Sequence, residues 1–150
     1  MTVYEIKPNE GIGPVRFGMG RAEVRAALGE EPIPFQKIPE AKHAADEFGR
    51  AGLHVHYRDA ERYTDPVVEF VEGFAVPGVR FTLAELLPLE APAESVVSQL
   101  AAQTDEIEES DGALYVLPEW GLSLWRPDRT HERFATVGVA EPGYDRLAVV

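Results

Sequence analysis

Two segments of the chain, 21–28 and 92–103, carry apolar residues at the spacing of an amphipathic α-helix. Gly29 follows the first segment as a helix-ending residue, and Pro92 suits the first turn of the second. The positions that would face the interior are Val24, Ala27 and Leu28 in the first helix, and Val96, Val97 and Leu100 in the second. The pattern therefore predicts two short helices, far apart in the chain.

Strands are indicated where apolar and polar residues alternate, because successive strand side chains point to opposite faces of a sheet. Two such segments are 53–57 and 122–126, and the segments 67–72 and 134–139 are predicted to close each set of strands. One face would carry the apolar side chains Leu53, Val55, Tyr57, Leu122 and Leu124. The other face would carry His54, His56, Ser123 and Trp125.

Short motifs recur in the same order in the two halves of the chain. Val15–Phe17 returns as Val79–Phe81 ahead of each predicted helix, and Gly52 and Gly121 occupy matching turns 69 residues apart. The second half has an insertion, residues 82–91, before its helix.

We therefore expect one α+β domain over residues 1–150, with pseudo-repeat halves 1–75 and 76–150. Each half would contain a strand, a helix and two or three antiparallel strands, with the helices packed on one face of an antiparallel sheet. The alternative is two unrelated units that share turn residues.

The open face of this predicted sheet is unusually aromatic. It would carry His54, His56, Glu69, Tyr115, Ser123, Trp125, Phe134 and Thr136, while Val68, Phe70, Leu114, Val116, Ala135, Val137 and Val139 would lie in the core. Exposed aromatic patches mark contact surfaces, and aromatic residues supply much of the energy of interfaces. The alternative is that a helix or loop covers this face, which would make it a second small core.

Composition narrows the class of protein. The chain has 150 residues, with 26 acidic and 14 basic residues, a formal charge of −12 and no cysteine. The lack of cysteine excludes disulfides, cysteine-ligated zinc and a thiol nucleophile. The negative charge argues against binding of nucleic acid, whose phosphates are neutralised by Lys and Arg.

The sequence also predicts a location. The N-terminal residues have no basic and apolar regions of a signal peptide, and no run is long and apolar enough to span a membrane. We therefore expect a cytoplasmic protein that has no membrane partner.

His54 and His56 form the best candidate metal site, because side chains two apart on a strand point the same way. Two imidazoles still need a third and usually a fourth ligand. The candidates are His43, Asp46, Glu47, Asp59 and Glu69, but nothing in the sequence fixes their positions. No nucleophile elbow, phosphate-binding loop or cofactor motif is present, so no catalytic residue and no cofactor is predicted.

A run of acidic residues follows the second helix. It contains Asp105, Glu106, Glu108, Glu109 and Asp111. The charge is uneven, with a net −4 on residues 1–75 and −8 on residues 76–150. Such a run forms either a solvated loop or an acidic patch that attracts a basic partner.

The stretch Gly13–Gly29 resembles the opening of a repeat in the tandem-repeat β-lactamase-inhibitor-like proteins and in small outer-membrane-assembly lipoproteins. In both groups a Gly-Met pair leads into the first helix, which closes with Val-x-x-x-Leu-Gly as at Val24–Gly29. The resemblance implies a concave sheet that binds protein. The chain departs from both groups in having neither a lipobox cysteine nor a disulfide.

The leading hypothesis is a non-catalytic protein-binding module of the immunity-protein or inhibitor kind. It would bind a basic partner through the open sheet face and the acidic run. One alternative is a small-molecule-binding protein or metal-dependent enzyme that uses His54 and His56. A further alternative is a homodimer, rather than a monomer, that buries the open face against itself.

Overall fold

The chain folds into twelve short strands and two helices over the part that the computed structural model describes, residues 1–36, 38–60 and 65–144. The helices are α1 (Arg21–Leu28) and α2 (Ala93–Ala101), and a 3-10 turn spans Pro118–Trp120. The strands are β1 (Thr2–Lys7), β2 (Gly11–Ile12), β3 (Val15–Arg16), β4 (Ile33–Phe35), β5 (Ala45–Phe48), β6 (Leu53–Arg58), β7 (Val67–Phe74), β8 (Val79–Thr82), β9 (Glu108–Ser110), β10 (Leu114–Leu117), β11 (Leu122–Trp125) and β12 (Thr136–Ala140).

Eight strands form a large antiparallel sheet in the order β4-β5-β6-β7-β12-β11-β10-β9. The first four follow α1 in the chain, and the last four follow α2. The predicted α+β class with antiparallel strands is confirmed. Each helix is followed by four strands of this sheet, where the sequence predicted two or three.

Strands β7 and β12 join the two sets of four. Glu72 lies opposite Gly138, and the neighbouring positions pair Val71 with Val139 and Gly73 with Val137. On each side of this central pair, the strands follow the chain order from the edge of the sheet to its centre, β4 to β7 on one side and β9 to β12 on the other.

A small second sheet has the order β3-β2-β1-β8, in which β1 and β8 run parallel. Its buried residues Ile6, Ile12 and Val15 belong to the main hydrophobic core. Phe81 of β8 lies against Gly73 of the large sheet, where an added Cβ would be 2.8 Å from its ring. Glycine is therefore needed at this position for β8 to pack so close to β7.

The first face of the large sheet forms most of the main core. Its side chains Leu53, Val55, Val71, Leu122, Leu124, Val137 and Val139 are all fully buried. They belong to the same cluster as Val24 of α1 and Val96 and Leu100 of α2. Burial of each of these side chains contributes about 1.5–3 kcal/mol to the free energy of folding.

The helices follow their local sequence signals closely. Helix α1 begins after Gly20, whose N–H is 3.4 Å from the Glu23 carboxylate, and ends at Gly29 with φ 61°. The predicted bounds of this helix are confirmed. Helix α2 is shorter than the predicted segment 92–103, because Pro92 is its N-cap and the helix ends at Ala101 with Ala102 as its C-cap.

Helix α1 is tied to the large sheet by a buried carboxylate. Asp46 of β5 is fully buried and accepts hydrogen bonds from Arg25 at 3.0 Å and from the Tyr57 hydroxyl at 2.9 Å. The Arg21 guanidinium lies 4.7 Å from the centre of the Tyr57 ring. Burial, followed by the charge of Asp46, raises the pKa of Tyr57, which keeps its hydroxyl protonated as a donor. The Asp46 carboxylate therefore links helix α1 to strands β5 and β6.

The predicted faces of strand β10 are wrong. Tyr115 pairs with Leu124 and Leu117 with Leu122, so the side chains of Tyr115 and Leu117 lie on the first face. Leu114 and Val116 point to the second face instead. Strand β10 has the sequence Leu-Tyr-Val-Leu, so its own alternation does not show which of its two faces is buried. Its register against β11, which follows after the 3-10 turn, decides this instead.

Phe134 was also expected on the open face, and that prediction is wrong. It precedes β12, is 3% exposed and belongs to the main core. Its ring meets the edge of Tyr115 at a centroid distance of 5.5 Å. Strand alternation therefore does not apply to this residue.

Phe70 was expected in the main core but lies on the second face. The pairing of β6 with β7 shifts between His56 and Tyr57, so Phe70 pairs with His56 while Val68 pairs with Tyr57. This irregularity leaves Glu69 as the extra residue of β7, and it changes which side chains face each side.

Gly52 and Gly121 occupy turns whose backbone conformation and close packing both favour glycine. Gly52 and Gly121 have φ 73° and 59°, and an added Cβ would lie 2.6 Å from the carbonyl oxygens of Phe74 and Ala140, respectively. We expect Gly52→Ala and Gly121→Ala each to lower the free energy of unfolding by about 1–2 kcal/mol for the left-handed backbone. The clash adds about 1–3 kcal/mol more. Urea unfolding measures both.

Gly29 is the matched control for these variants. It has φ 61°, but an added Cβ would meet nothing within 4 Å. Gly29→Ala should therefore show the backbone cost alone. Equal destabilisation by all three substitutions would refute the predicted clash with the carbonyl oxygens.

Candidate functional site

His54 and His56 lie on the second face of the large sheet, each between aromatic rings. The ring centre of Phe35 is 4.9 Å from that of His54 and 5.8 Å from that of His56. Phe74 is 4.7 Å from His54, and Phe70 is 5.4 Å from His56. We call these five residues the histidine slot.

His54 is held between two carboxylates from the neighbouring strands. Its Nε2 is 2.8 Å from Glu47, and its Nδ1 is 3.7 Å from Glu72. Burial disfavours the charged imidazolium, but the carboxylates of Glu72 and Glu47 outweigh this and raise the pKa of His54. The arrangement therefore favours a protonated imidazole that donates from Nε2 to Glu47 and has its second N–H near the Glu72 carboxylate.

The pair His54 and His56 is not joined by further metal ligands. Over residues 1–36, 38–60 and 65–144, no group of three or more His, Asp or Glu side chains is arranged to hold a metal ion. Both nitrogens of His54 already face carboxylates, and a metal ligand needs a free nitrogen lone pair.

The middle of the second face is covered by the segment that follows β12. His56 is 8% exposed and Glu69 is 6% exposed. Tyr144 stacks on Phe70 at a centroid distance of 5.5 Å, and the Glu141 N–H donates to the Glu69 carbonyl at 2.9 Å. Phe70 also forms a small apolar cluster with Val116 and Ala140. In this region the second face is a small core, as the alternative interpretation of the sequence anticipated.

Trp125 lies at the uncovered end of the same face. It is 39% exposed, and every other aromatic residue in the described part of the chain is more deeply buried. It pairs with Leu114 of β10 and Thr136 of β12, and Leu114 pairs in turn with Ser110 of β9. We call Trp125, Leu114, Thr136 and Ser110 the Trp125 surface, together with Glu108, which lies two residues before Ser110 on the same face of β9.

The acidic run borders this surface. Asp105, Glu106, Glu108 and Asp111 are exposed, and their side chains make no hydrogen bond or ion pair with another described residue. Glu109 differs from these four, because it accepts a hydrogen bond from the Tyr115 hydroxyl at 3.2 Å and lies 3.6 Å from Arg129.

Arg126 holds the turn between β9 and β10 in place. It is 2% exposed and donates to the Gly112 carbonyl at 2.8 Å and to the Glu94 carboxylate at 3.1 Å. Since Gly112 directly follows the acidic run, this buried guanidinium fixes the run relative to α2.

The structure brings together only part of the predicted set. His54 and His56 share the histidine slot, and Trp125 and Glu108 lie on the same face two strands apart, whereas Tyr115 and Phe134 lie on the first face. Sequence reasoning missed Phe35, Phe74 and Glu72, and it considered Glu47 only as one of several possible metal ligands. The alternation of β7 was a usable signal for Phe74 and Glu72, but Phe35 follows two prolines in a segment with no strand pattern.

Comparison with known proteins adds no further assignment. No protein-family model matches the chain, and no curated protein or solved structure is significantly similar to it. Among the described residues, no helix is long and apolar enough to cross a membrane.

The charge state of His54 makes stability depend on pH. Because its pKa is raised above 6.5 in the folded protein, His54 contributes stability that is fully present below about pH 6.5. This contribution is lost as the pH rises through the raised value. We expect the free energy of unfolding to fall over that range, and the fall to be smaller in His54→Gln.

Denaturant unfolding at a series of pH values measures this change, and an NMR titration of the imidazole gives its midpoint directly. His131→Gln is the matched control, because the His131 side chain is exposed. A midpoint for His54 below 6.5, or an unchanged pH dependence in His54→Gln, would contradict the assignment.

Proposed function

We propose that this protein is a non-catalytic, cytoplasmic protein-binding module that takes a basic partner at the Trp125 surface. The observation that carries the proposal is the exposure of Trp125 on the face whose edge strand, β9, carries Glu108 and leads into Asp111, two carboxylates with no partner among the described residues. Tryptophan is among the residues most enriched at the centres of protein interfaces. An exposed indole on the same sheet face as Glu108 is therefore the best-supported contact point for another protein.

The charge distribution supports a basic partner. The chain carries a formal charge of −12, and the residues from 76 onward carry −8 of it. Four carboxylates of the acidic run are free to pair with cations on a partner. Opposite fields speed association and select against acidic competitors. We expect binding of this kind to weaken as salt is added.

The proposal includes a tandem origin for the two halves, with both helices covering the first face. Four consecutive strands from each half run in chain order from one edge of the large sheet to its centre, where β7 meets β12. Gly52 and Gly121 support the correspondence, since both adopt a left-handed backbone and each accepts, through its carbonyl, a hydrogen bond from the strand beside it. In this proposal the sequence of the second half has diverged from that of the first, and its strands β9–β12 carry the Trp125 surface.

Affinity capture on immobilised protein tests the proposal. We expect a basic protein, identified by mass spectrometry, to be retained at low salt by the wild type. Trp125→Ala should weaken its binding by about 2 kcal/mol or more, which is roughly thirtyfold in Kd. Glu108→Lys should weaken it through charge, with a smaller salt dependence than the wild type.

Ile33→Ala is the matched control, because Ile33 is 65% exposed at the opposite edge of the same sheet. It should leave capture unchanged. Equal binding by Trp125→Ala and the wild type would reject the Trp125 surface. If light scattering shows a dimer that Trp125→Ala converts to a monomer, the occupant of the surface is a second copy of the chain instead.

A further inference from the structure

The surface of the protein has a depression whose lining residues belong neither to the histidine slot nor to the Trp125 surface. It has a volume of about 900 Å³ and is bounded by the β1–β2 turn, the 83–86 turn, the end of α2 and Trp120. Its floor is apolar, since the lining residues Ile6, Leu83 and Leu100 are all buried. A volume of this size suits a small molecule. We call this depression the α2 groove.

The rim of the α2 groove is acidic. Glu5 lies on β1, Glu10 precedes β2, and Glu85 is in the 83–86 turn. These three side chains are exposed and make no hydrogen bond or ion pair with another described residue. Lys7 is the single basic residue of the described chain that lines the groove. The rim therefore has an excess of negative charge that is not neutralised locally.

The end of α2 adds a second source of negative potential. Gln99, Leu100 and Gln103, at the C-terminal end of this helix, line the groove. The last turn of α2 contains no basic side chain. Helix C-termini carry a partial negative charge from their unpaired carbonyls, which favours a cation nearby.

Trp120 supplies an aromatic wall. It is half-buried, packs against the main core and lines the groove. The face of an indole attracts organic cations, and its area also covers apolar chain. The acidic rim and the aromatic wall favour a cationic ligand, and the apolar floor favours one that is partly aliphatic.

The positions of the carboxylates distinguish an organic cation from a metal ion. Glu5, Glu10 and Glu85 come from separate elements, and in the described part of the chain no three acidic or histidine side chains converge as metal ligands would. Charges distributed around a rim match a ligand whose own charges are separated by apolar linkers.

We propose that the α2 groove binds a linear aliphatic polyamine. Its methylene segments lie along Ile6, Leu83 and Leu100, and its ammonium groups pair with Glu5, Glu10 and Glu85. One ammonium group also lies over Trp120 or near the end of α2. This site is independent of the Trp125 surface, so the two proposals stand or fall separately.

Tryptophan fluorescence during a titration with spermidine tests the proposal. The chain has two tryptophans, so Trp125→Phe leaves Trp120 as the sole indole. We expect a saturable change in Trp120 emission with one spermidine bound per chain, and isothermal titration calorimetry should give the same stoichiometry. The combined variant Glu5→Gln, Glu10→Gln and Glu85→Gln should weaken binding by about tenfold or more.

The matched control replaces three exposed carboxylates outside the groove, as Glu31→Gln, Glu40→Gln and Glu132→Gln. It changes the net charge equally and should leave the affinity within about twofold of the wild type. Equal weakening by both triple variants would overturn the proposal, because spermidine would then be held by net charge alone. The same conclusion would follow if NaCl or MgCl₂ at matched ionic strength reproduced the change in emission.

Discussion

The antiparallel pairing of β7 with β12 is the contact on which the large sheet depends. It places Val71 beside Val139 on the first face, and it leaves Glu72 opposite Gly138 on the second. A slip by one residue would exchange the two faces of an entire half, because strand side chains alternate. The small sheet spans the same division through β1 and β8, with Phe81 seated on Gly73. The two halves therefore share one core.

This pairing also decides what the second face can do. Gly138 has no side chain, and an added Cβ there would lie 2.6 Å from the ring of Phe70. The ring of Phe70 can consequently pack directly against Gly138, and Tyr144 stacks on this ring. The covered middle includes His56 and Phe70 of the histidine slot, and Phe74 of the slot pairs with Thr136 of the Trp125 surface. The two areas therefore adjoin on one face, and Trp125 is the exposed aromatic residue of that face.

Sequence patterns within a few residues allowed much of the fold to be predicted. The features that were missed depend on contacts between distant segments of the chain. Helix α1 follows from its apolar spacing and from Gly29, which act within a few residues. The outward face of β10 depends on its register against β11, and the position of Phe70 depends on an irregular pairing with β6. Neither is visible in a single strand. For the candidate site, Trp125 and His54 were found by alternation, whereas Phe35 and the covering by Tyr144 come from distant segments.

Native-state hydrogen exchange tests most directly whether β7 and β12 unite the halves. The account predicts that slowly exchanging amides in β6, β7, β12 and β11 open with one common free energy, equal to that of global unfolding. Gly73→Ala, which would push Phe81 away from β7, should lower this value equally on both sides of the central pair. Separate free energies for the strands before and after the junction, with one half exchanging while the other stays protected, would contradict the account.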